Sequence, residues 1–171
     1  SFSKLADSDL PSVSVIVAAR NEESDILECI QSLDKLEFPE GKIEIILVDD
    51  NSTDRTGEII DEFIADKPKF KKVISEQVRG ELKGKTLAIA NGIEYSVNEI
   101  IMTTDADCRV SPTWAKTLAS YYVDENIALV NGMTNQHDVD VFSGIQSIDF
   151  ILLLLAASGT MNIGRPMSCI G

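Results

Sequence analysis

The 171-residue sequence has few cysteines, few basic residues and no long apolar run, and each scarcity argues against a class of protein. Three cysteines without C-x-x-C spacing indicate neither a disulfide framework nor a zinc site, which favours a reducing compartment. The 15 Lys and Arg residues against 28 Asp and Glu give a net charge of -13, which argues against binding to nucleic acid. The longest apolar run, residues 150–157, is far shorter than the roughly 18 residues of a membrane span.

Glycine is absent from residues 18–25, directly after the first apolar run. A nicotinamide dehydrogenase needs a G-x-G-x-x-G fingerprint there, because its glycines let the backbone approach the pyrophosphate. A sugar-phosphate nucleotidyltransferase would also need a glycine-rich phosphate loop at this position. The missing glycines disfavour both classes, and the nucleotidyltransferase is kept as an alternative.

Both ends of the sequence look cut. Ser1 is not a natural start, no signal peptide precedes the first strand, and residues 166–171 end within apolar sequence. We therefore expect a cytoplasmic domain of a longer protein. Residues 142–157 are predicted to form a helix that is apolar on most sides. We favour its packing under a missing C-terminal part over its lying on a membrane interface, so membrane association of the whole protein stays open.

Apolar, strand-like runs alternate with segments of helical periodicity along most of the chain. The strands are predicted at residues 13–18, 43–48, 72–75, 99–104 and 127–134. One helical stripe is predicted to consist of Leu87, Ala90, Ile93 and Val97. Pro112 is predicted to occupy the first position of the next helix, where its missing N–H costs nothing. The order of elements predicts an α/β fold with a mostly parallel sheet and helices on both faces.

Carboxylates follow three of the predicted strands. Asp105 and Asp107 come directly after an apolar, β-branched run, Asp49 and Asp50 follow the second strand, and Glu22 follows the first. In open α/β sheets, ligands bind at the carboxyl ends of the strands. Two neighbouring carboxylates repel each other unless a cation intervenes, and Mg²⁺ is usually held by one or two carboxylates plus substrate phosphates. The pattern therefore predicts a metal-binding site.

Residues 79–85 form the main basic cluster of this acidic chain and precede a predicted helix, whose N-terminus favours anions. The strand ends and this loop would place three chemical functions at one edge of the sheet. Those functions are acceptors for a base or ribose, cations for phosphate, and paired acids for a metal ion. The arrangement predicts a site for a nucleoside diphosphate together with a metal.

Four motifs in this order resemble the family-2 glycosyltransferases, which are inverting enzymes of the GT-A fold that use nucleotide sugars. They read VSVIVAARNE at residues 13–22, VDDNSTD at residues 48–54, GK at residues 84–85 with Asn91, and TDAD at residues 104–107. Each motif is weak alone, whereas their order and spacing together are specific and extend over nearly the whole chain. The first motif departs from the Pro-x-Tyr-Asn-Glu that is frequent in the family.

The resemblance implies a nucleoside pocket formed by residues that match the first two motifs. Glu22 and the backbone of Ala19 and Arg20 would line this pocket. Asp50 would accept a hydrogen bond from the imide N–H of uracil, a role that suits a carboxylate because it only accepts.

The resemblance also implies a diphosphate site with a metal. Asp105 would touch the ribose or the metal shell, and Asp107 would hold Mn²⁺ or Mg²⁺ on the diphosphate. These two acids are the predicted catalytic and metal-binding residues, and Lys85 would lie near the phosphates. The metal would neutralise the charge that develops on the departing nucleoside diphosphate.

Residues 1–171 are interpreted as a single nucleotide-sugar-binding domain that lacks a C-terminal acceptor part. The donor is expected to be a UDP-sugar, and the acceptor an unidentified sugar, polysaccharide or lipid-linked molecule. In the resembled family the general base lies after the segment that matches residues 158–171, so this chain alone is expected to be inactive in transfer. A non-catalytic module that holds a nucleotide sugar or a protein partner stays open as the alternative.

Overall fold

A computed structural model describes residues 6–76, residues 81–132 and Leu152. Strands and α-helices alternate along these residues, with short 3-10 helices at Asp7–Asp9 and Ser120–Val123. The strands are β1 (Val13–Ala19), β2 (Ile43–Asp49), β3 (Phe70–Ile74) and β4 (Ile100–Asp105). The helices are α1 (Ile26–Asp34), α2 (Thr56–Ile64), α3 (Gly84–Glu94) and α4 (Trp114–Ala119). This alternation confirms the predicted α/β class.

The sheet is parallel, and its strand order is β3-β2-β1-β4. The chain moves outward from β1 to β3 and then crosses back to place β4 on the other side of β1. Helices α1, α2 and α4 pack on one face of the sheet, and α3 packs on the other. The prediction of helices on both faces is therefore confirmed. The reversal of strand order beside β1 is the point at which open α/β sheets bind ligands.

β1 is buried on both faces because its side chains alternate between two apolar layers. Val15 belongs to the layer that includes Ile30 of α1, whereas Ile16 belongs to the layer that includes Ala88 of α3. All four side chains are fully buried. Since burying one aliphatic side chain contributes about 1.5–3 kcal/mol, this two-sided core holds the central strand firmly in place. The residue from which the loop after β1 begins is therefore held in a fixed position by the core.

The packed face of α3 differs from the stripe predicted from its apolar residues. Leu87 is buried as predicted, but Ile93 and Val97 are 47% and 76% exposed, so the predicted stripe is wrong at these two positions. The buried residues of α3 are Leu87, Ala88, Asn91 and Gly92. A Cβ atom on Gly92 would lie 2.5 Å from Cγ2 of Ile16, so the helix backbone runs too close to the sheet for a side chain there. The packed face therefore includes the position at which the helix approaches the sheet most closely, and it does not follow the spacing of the apolar residues.

Two boundaries differ from the prediction by two residues, and one predicted strand does not form in the described residues. β3 begins at Phe70, before the predicted residue 72, and α4 begins at Trp114, with Pro112 in the turn that precedes it. Residues 127–132, the described part of the strand predicted at 127–134, form no strand. The N–H of Ile127 instead donates to Asp124 O in a turn, and Leu129 is 70% exposed. The helix predicted at residues 142–157 lies outside the described residues, apart from Leu152.

The chain divides into two units, Ser1–Ala128 and Leu129–Gly171. The strands and helices named above all belong to the first unit, as do the loops at the carboxyl ends of the strands. Within the described parts of the chain, no helix combines the length and the apolarity that crossing a membrane requires.

A buried polar network lies at the amino ends of β1 and β2, opposite the strand ends that carry the candidate site. Glu44 is 7% exposed and accepts hydrogen bonds from Ser14 Oγ at 2.5 Å, Lys71 Nζ at 2.6 Å and the Val97 N–H at 2.7 Å. Burial raises the pKa of the Glu44 carboxyl, but these hydrogen bonds outweigh burial and leave its pKa below the ordinary value of 4.5. The network ties the connection between α3 and β4 to the sheet.

We expect Glu44→Gln to lower the free energy of unfolding at neutral pH by about 1–3 kcal/mol, since a buried charged acceptor is lost. The folded-state pKa of Glu44 is lowered, so its stabilising contribution is full above the unfolded pKa and disappears as the pH falls through the folded pKa. The difference between wild type and variant should therefore shrink as the pH falls below about 4.5. Urea denaturation at a series of pH values measures this difference in the free energy of unfolding.

The matched control is Glu40→Gln, which makes the same change at an exposed position. This control should leave the free energy of unfolding nearly unchanged at every pH. A difference between wild type and Glu44→Gln that stayed constant with pH would contradict the assignment of the network to the ionised carboxylate.

Candidate functional site

A cavity lies at the carboxyl edge of the sheet, where β1, β2 and β4 end. Ala19 of β1 pairs with Asp49 of β2, and Ala18 pairs with Asp105 of β4, so the three strands end at the same level. The cavity has a volume of about 270 Å³. Its lining residues are Ala18, Ala19, Arg20, Glu22, Asp50, Gly84, Lys85, Asp105, Ala106 and Asp107. The fold thus brings every predicted site residue to one cavity, while the roles of these residues stay predictions.

The loop after β1 carries two of the lining residues, Arg20 and Glu22. Between them, Asn21 has a left-handed φ of 56°, a conformation that few residues other than glycine adopt. The Glu22 carbonyl accepts the N–H of Asp25 at 3.0 Å, so this loop leads directly into α1. Nη1 of Arg20 lies 3.5 Å from Oδ2 of Asp50, which links the end of β1 to the end of β2.

The two neighbouring acids at the end of β2 have different environments. Oδ1 of Asp49 accepts the N–H of Ser52 at 2.9 Å, and its carboxylate lies so near Gly57 that a Cβ there would meet Oδ2 at 2.7 Å. Asp50 donates its N–H to Ala19 O at 2.8 Å and lines the cavity. The structure therefore separates a turn-forming acid from an acid that a ligand can reach.

The D-x-D segment forms a tight turn at the end of β4. The N–H of Cys108 donates to Asp105 O at 3.1 Å, and the intervening Ala106 is only 3% exposed. The side chain of Asp105 is 52% exposed, and its Oδ1 lies 2.5 Å from Nζ of Lys85. A buried alanine thus anchors the turn while the two acids on either side line the cavity.

Side chains of helix α1 contact backbone atoms of this turn and of the segment that follows it. The thiol of Cys29 lies 3.5 Å from Asp105 O, and Oγ of Ser32 accepts the N–H of Val110 at 3.1 Å. Burial raises the pKa of Cys29 to about 12, so the thiol stays protonated and donates to the carbonyl. Cys29 is only 1% exposed and belongs to the apolar core. Both contacts fix backbone atoms of the segment that carries the paired acids.

Arg109 makes a further link between α1 and the D-x-D turn. Its Nη1 donates to Asp107 O at 3.2 Å, while its Nε and Nη2 pair with Glu28 at 2.5 Å and Asp25 at 3.5 Å. This arginine was not predicted to have a role at the site. The one available signal was its position two residues after the D-x-D, because its acidic partners lie on a helix that is distant in sequence.

The N-terminus of α3 forms another wall of the cavity. Gly84 begins the helix with a φ of 55°, which a residue with a side chain rarely adopts, and Lys85 follows it. The N-terminus of a helix carries a partial positive charge and exposed N–H groups. Together with the Lys85 ammonium, it makes this wall suited to phosphate oxygens.

The charged residues that line the cavity are four acids and two bases, Glu22, Asp50, Asp105 and Asp107 against Arg20 and Lys85, a net charge of -2. Partial burial, followed by the nearby charges of Asp107, Asp25, Asp54 and Asp105, raises the pKa of Glu22 above its ordinary value of 4.5. The acids of the cavity therefore repel one another. Such a site favours a bound cation.

The chemistry of the paired acids fits a divalent ion that arrives with a phosphate ligand. Among residues 6–76 and 81–132, no group of three or more His, Cys, Asp or Glu side chains is arranged to hold a metal ion. Asp105 and Asp107 supply two carboxylates, the number that commonly holds Mg²⁺ when waters and phosphates complete its octahedron. An ion bound by this protein alone would be held weakly.

Comparison with known proteins shows the family. Residues 14–165 match the model of Glycosyl transferase family 2. YdaM of Bacillus subtilis (strain 168), a probable glycosyltransferase, is 35% identical over 136 residues, which make up 80% of this chain and 30% of YdaM. The beta-monoglucosyldiacylglycerol synthase of Nostoc sp. (strain PCC 7120) is 34% identical over 130 residues, or 75% of this chain and 27% of the synthase.

A solved structure shares the fold. The 1-349 portion of S. aureus TarS in complex with UDP-GlcNAc aligns with a TM-score of 0.55 and 28% identity, over 74% of this chain and 37% of that one. This chain spans less than a third of the length of both sequence relatives. The family match over most of the chain, the relatives above 30% identity and the shared architecture show that this protein belongs to glycosyltransferase family 2 and has the GT-A fold.

Proposed function

We propose that the cavity binds the nucleotide-sugar donor of a glycosyltransferase, with UDP as the nucleotide and a divalent ion on its diphosphate. The observation that carries this proposal is the convergence of Asp50, Asp105, Asp107 and Lys85 on one cavity at the strand ends. The TarS structure in complex with UDP-GlcNAc supports the choice of UDP.

The diphosphate would lie between the D-x-D turn and the N-terminus of α3. Asp105 and Asp107 would hold Mg²⁺ or Mn²⁺ from one side, while Lys85 would contact the phosphates from the other. When bound, the ion would offset the charge that develops on the leaving diphosphate. The net charge of -2 in the cavity disfavours a dianionic ligand, because Arg20 and Lys85 alone do not neutralise the four acids, so a bound cation would strengthen binding.

The nucleoside would occupy the part of the cavity lined by Ala19, Arg20, Glu22 and Asp50. The Asp50 carboxylate only accepts hydrogen bonds and therefore matches the imide N–H of uracil. The Asp50 carboxylate lies 3.5 Å from Arg20, whose side chain is 64% exposed. Arg20 has room to move aside when a base approaches Asp50, since solvent surrounds most of its side chain.

The proposed reaction transfers the sugar to an acceptor hydroxyl with inversion at the anomeric carbon. Asp105 and Asp107 would hold the ion on the diphosphate, on the side opposite the incoming acceptor. They are therefore not assigned as the general base, which must lie near the acceptor hydroxyl. Because the Nostoc relative is a beta-monoglucosyldiacylglycerol synthase, a lipid-linked acceptor is the first class to test, followed by polysaccharides.

A thermal-shift measurement with nucleotides tests this proposal. UDP at about 100 times its dissociation constant should stabilise the folded chain by about 2.7 kcal/mol. The shift should be larger with Mn²⁺ or Mg²⁺ than with a chelator, and larger for UDP than for ADP or CDP, which lack the imide N–H. Absence of any shift with every nucleoside diphosphate, for a chain shown to be folded by circular dichroism, would refute the proposal.

A further inference from the structure

Two asparagines occupy equivalent positions after β1 and β2. Asn21 follows Arg20 and Asn51 follows Asp50, so each comes one residue after a residue that lines the cavity. Their φ angles are 56° and 57°, and they are the non-glycine residues with positive φ in the described part of the chain. The pairing of β1 with β2 ends at Ala19 and Asp49. Beyond these residues, other contacts must hold the two loops together.

The side chain of Asn21 ties the loop after β1 to the loop after β2. Its Oδ1 accepts the N–H of Thr53 at 2.8 Å and Oγ1 of Thr53 at 3.3 Å. Its own N–H donates to Oγ of Ser52 at 3.1 Å. In the same pair of loops, the N–H of Glu22 donates to Oγ1 of Thr56 at 2.8 Å. Arg20 and Glu22 therefore belong to a loop that is held by hydrogen bonds at Asn21 and at Glu22.

The side chain of Asn51 continues the connection to the end of β3. Its Nδ2 donates to Ser75 O at 3.1 Å. The next residue, Glu76, donates its N–H to Oδ1 of Asn91 at 3.2 Å. Asn91 is fully buried in α3, and its Nδ2 donates to Leu87 O at 2.7 Å. A sequence of side-chain hydrogen bonds thus runs from the loop after β1 to the helix that begins at the cavity.

We propose that Asn21, Asn51 and Asn91 are positioning residues for the nucleotide. Their hydrogen bonds, which we call the asparagine relay, set the spacing between the strand-end loops and α3. That spacing fixes Arg20 and Asp50 on one side of the cavity relative to Lys85 on the other. None of the three asparagines lines the cavity, so the relay acts through the residues that do. This inference rests on the proposed function, because nucleotide affinity is the property that the spacing serves.

Holding the loops before the ligand arrives reduces the ordering cost of binding. Without the relay, the loops after β1 and β2 would have to adopt their spacing when the nucleotide binds. The affinity of the folded chain would fall for that reason even if its stability changed little. This expectation distinguishes a positioning role from a contribution to stability alone.

The partners of Asn21 and Asn51 fix which amide atom each presents. The Thr53 N–H only donates, so Asn21 must present its oxygen, and the Ser75 carbonyl only accepts, so Asn51 must present its NH₂ group. Substitution by Asp therefore has opposite consequences at the two sites. Asn21→Asp retains the acceptor, whereas Asn51→Asp loses the donor and places a carboxylate against a carbonyl oxygen. Both variants add one negative charge, and both keep a residue type that tolerates a left-handed φ.

The experiment compares UDP binding in the presence of Mn²⁺ by the wild-type chain, Asn21→Asp and Asn51→Asp, using calorimetry at a temperature at which all three are folded. We expect Asn51→Asp to bind about tenfold more weakly than Asn21→Asp, the size of effect expected when one hydrogen-bond donor is lost and its carbonyl partner is left unpaired. Hydrogen exchange of the Thr53 amide should stay slow in Asn21→Asp and become fast in Asn21→Gly. Asn51→Gly, which removes the donor without adding charge, should weaken UDP binding as Asn51→Asp does and carries the test if Asn51→Asp fails to fold.

Equal affinities of Asn21→Asp and Asn51→Asp, with Asn51→Gly also unchanged, would overturn the positioning role and leave the proposed function standing, because the wild type would still bind UDP. A lower melting temperature without a change in affinity would also overturn it. If the folded wild-type chain bound no nucleoside diphosphate, the proposed function would fail, and the role of the relay would fail with it.

Discussion

Asp107→Ala is expected to remove most of the metal dependence of UDP binding while leaving the weak binding in chelator nearly unchanged. Asp107 is one of the two carboxylates proposed to hold the ion, and the described residues contain no group of three or more such ligands arranged for a metal. Loss of a supporting residue around a metal typically costs 10–100-fold, so we expect loss of a direct ligand to weaken UDP binding with Mn²⁺ by at least about 100-fold. Calorimetric titration with UDP in Mn²⁺ and in chelator measures both quantities.

Two further variants separate the role of Asp107 from a general effect of charge. Asp50→Ala should weaken UDP binding both with and without metal, because it removes the partner proposed for the base. Asp66→Ala removes the same charge at an exposed position that does not line the cavity, and it should change neither affinity. Identical, metal-dependent losses for Asp50→Ala and Asp107→Ala would show that the assignment of base reading and metal holding to different acids is wrong.

The location of the site could be inferred from sequence because it depends on strands that local patterns reveal. Residues 13–18 and 43–48 are almost continuously apolar and β-branched, and the structure has strands at Val13–Ala19 and Ile43–Asp49. Once the sheet is parallel, its topology alone brings the carboxyl ends of these strands together. Asp50 and Asp105 could therefore be assigned to one edge without any knowledge of side-chain contacts.

The ion pairs and hydrogen bonds that hold the site in place could not be inferred in the same way, because they join residues that are distant in sequence. Arg109 pairs with Glu28, and Asn51 bonds to Ser75 O, and neither partner is marked by spacing or periodicity. The buried face of α3 was also predicted incorrectly. The helix runs so close to the sheet at Gly92 that a side chain would not fit there, and the apolar spacing does not reveal this. Sequence patterns report which side chains prefer burial, whereas these contacts depend on how near two backbones lie.

Lys85→Met is expected to change the affinities for metal and for nucleotide in opposite directions. Nζ of Lys85 lies 2.5 Å from Oδ1 of Asp105. The lysine ammonium therefore lies where a metal ion bound to Asp105 would lie. Both side chains are more than half exposed, and exposed ion pairs contribute about 0.2–1 kcal/mol. Removing this competitor should therefore strengthen binding of Mn²⁺ alone by up to about fivefold.

The same substitution should weaken binding of UDP in the presence of Mn²⁺. If Lys85 turns from Asp105 to the phosphates when the ion arrives, its loss removes a hydrogen bond to a charged group, worth about 1.5–3 kcal/mol. That energy corresponds to an affinity lower by about 10- to 150-fold. Electron paramagnetic resonance of unbound Mn²⁺ measures the first effect, and calorimetry with UDP measures the second.

Lys83→Met provides the matched control, because Lys83 is exposed, precedes α3 and does not line the cavity. It removes one positive charge two residues away, so any general electrostatic effect on Mn²⁺ or UDP appears in this variant as well. The difference between the two variants isolates the contact between Lys85 and Asp105. Weaker binding of Mn²⁺ alone by Lys85→Met would mean that the lysine holds Asp105 in the geometry that the ion needs, and does not compete with the ion for it.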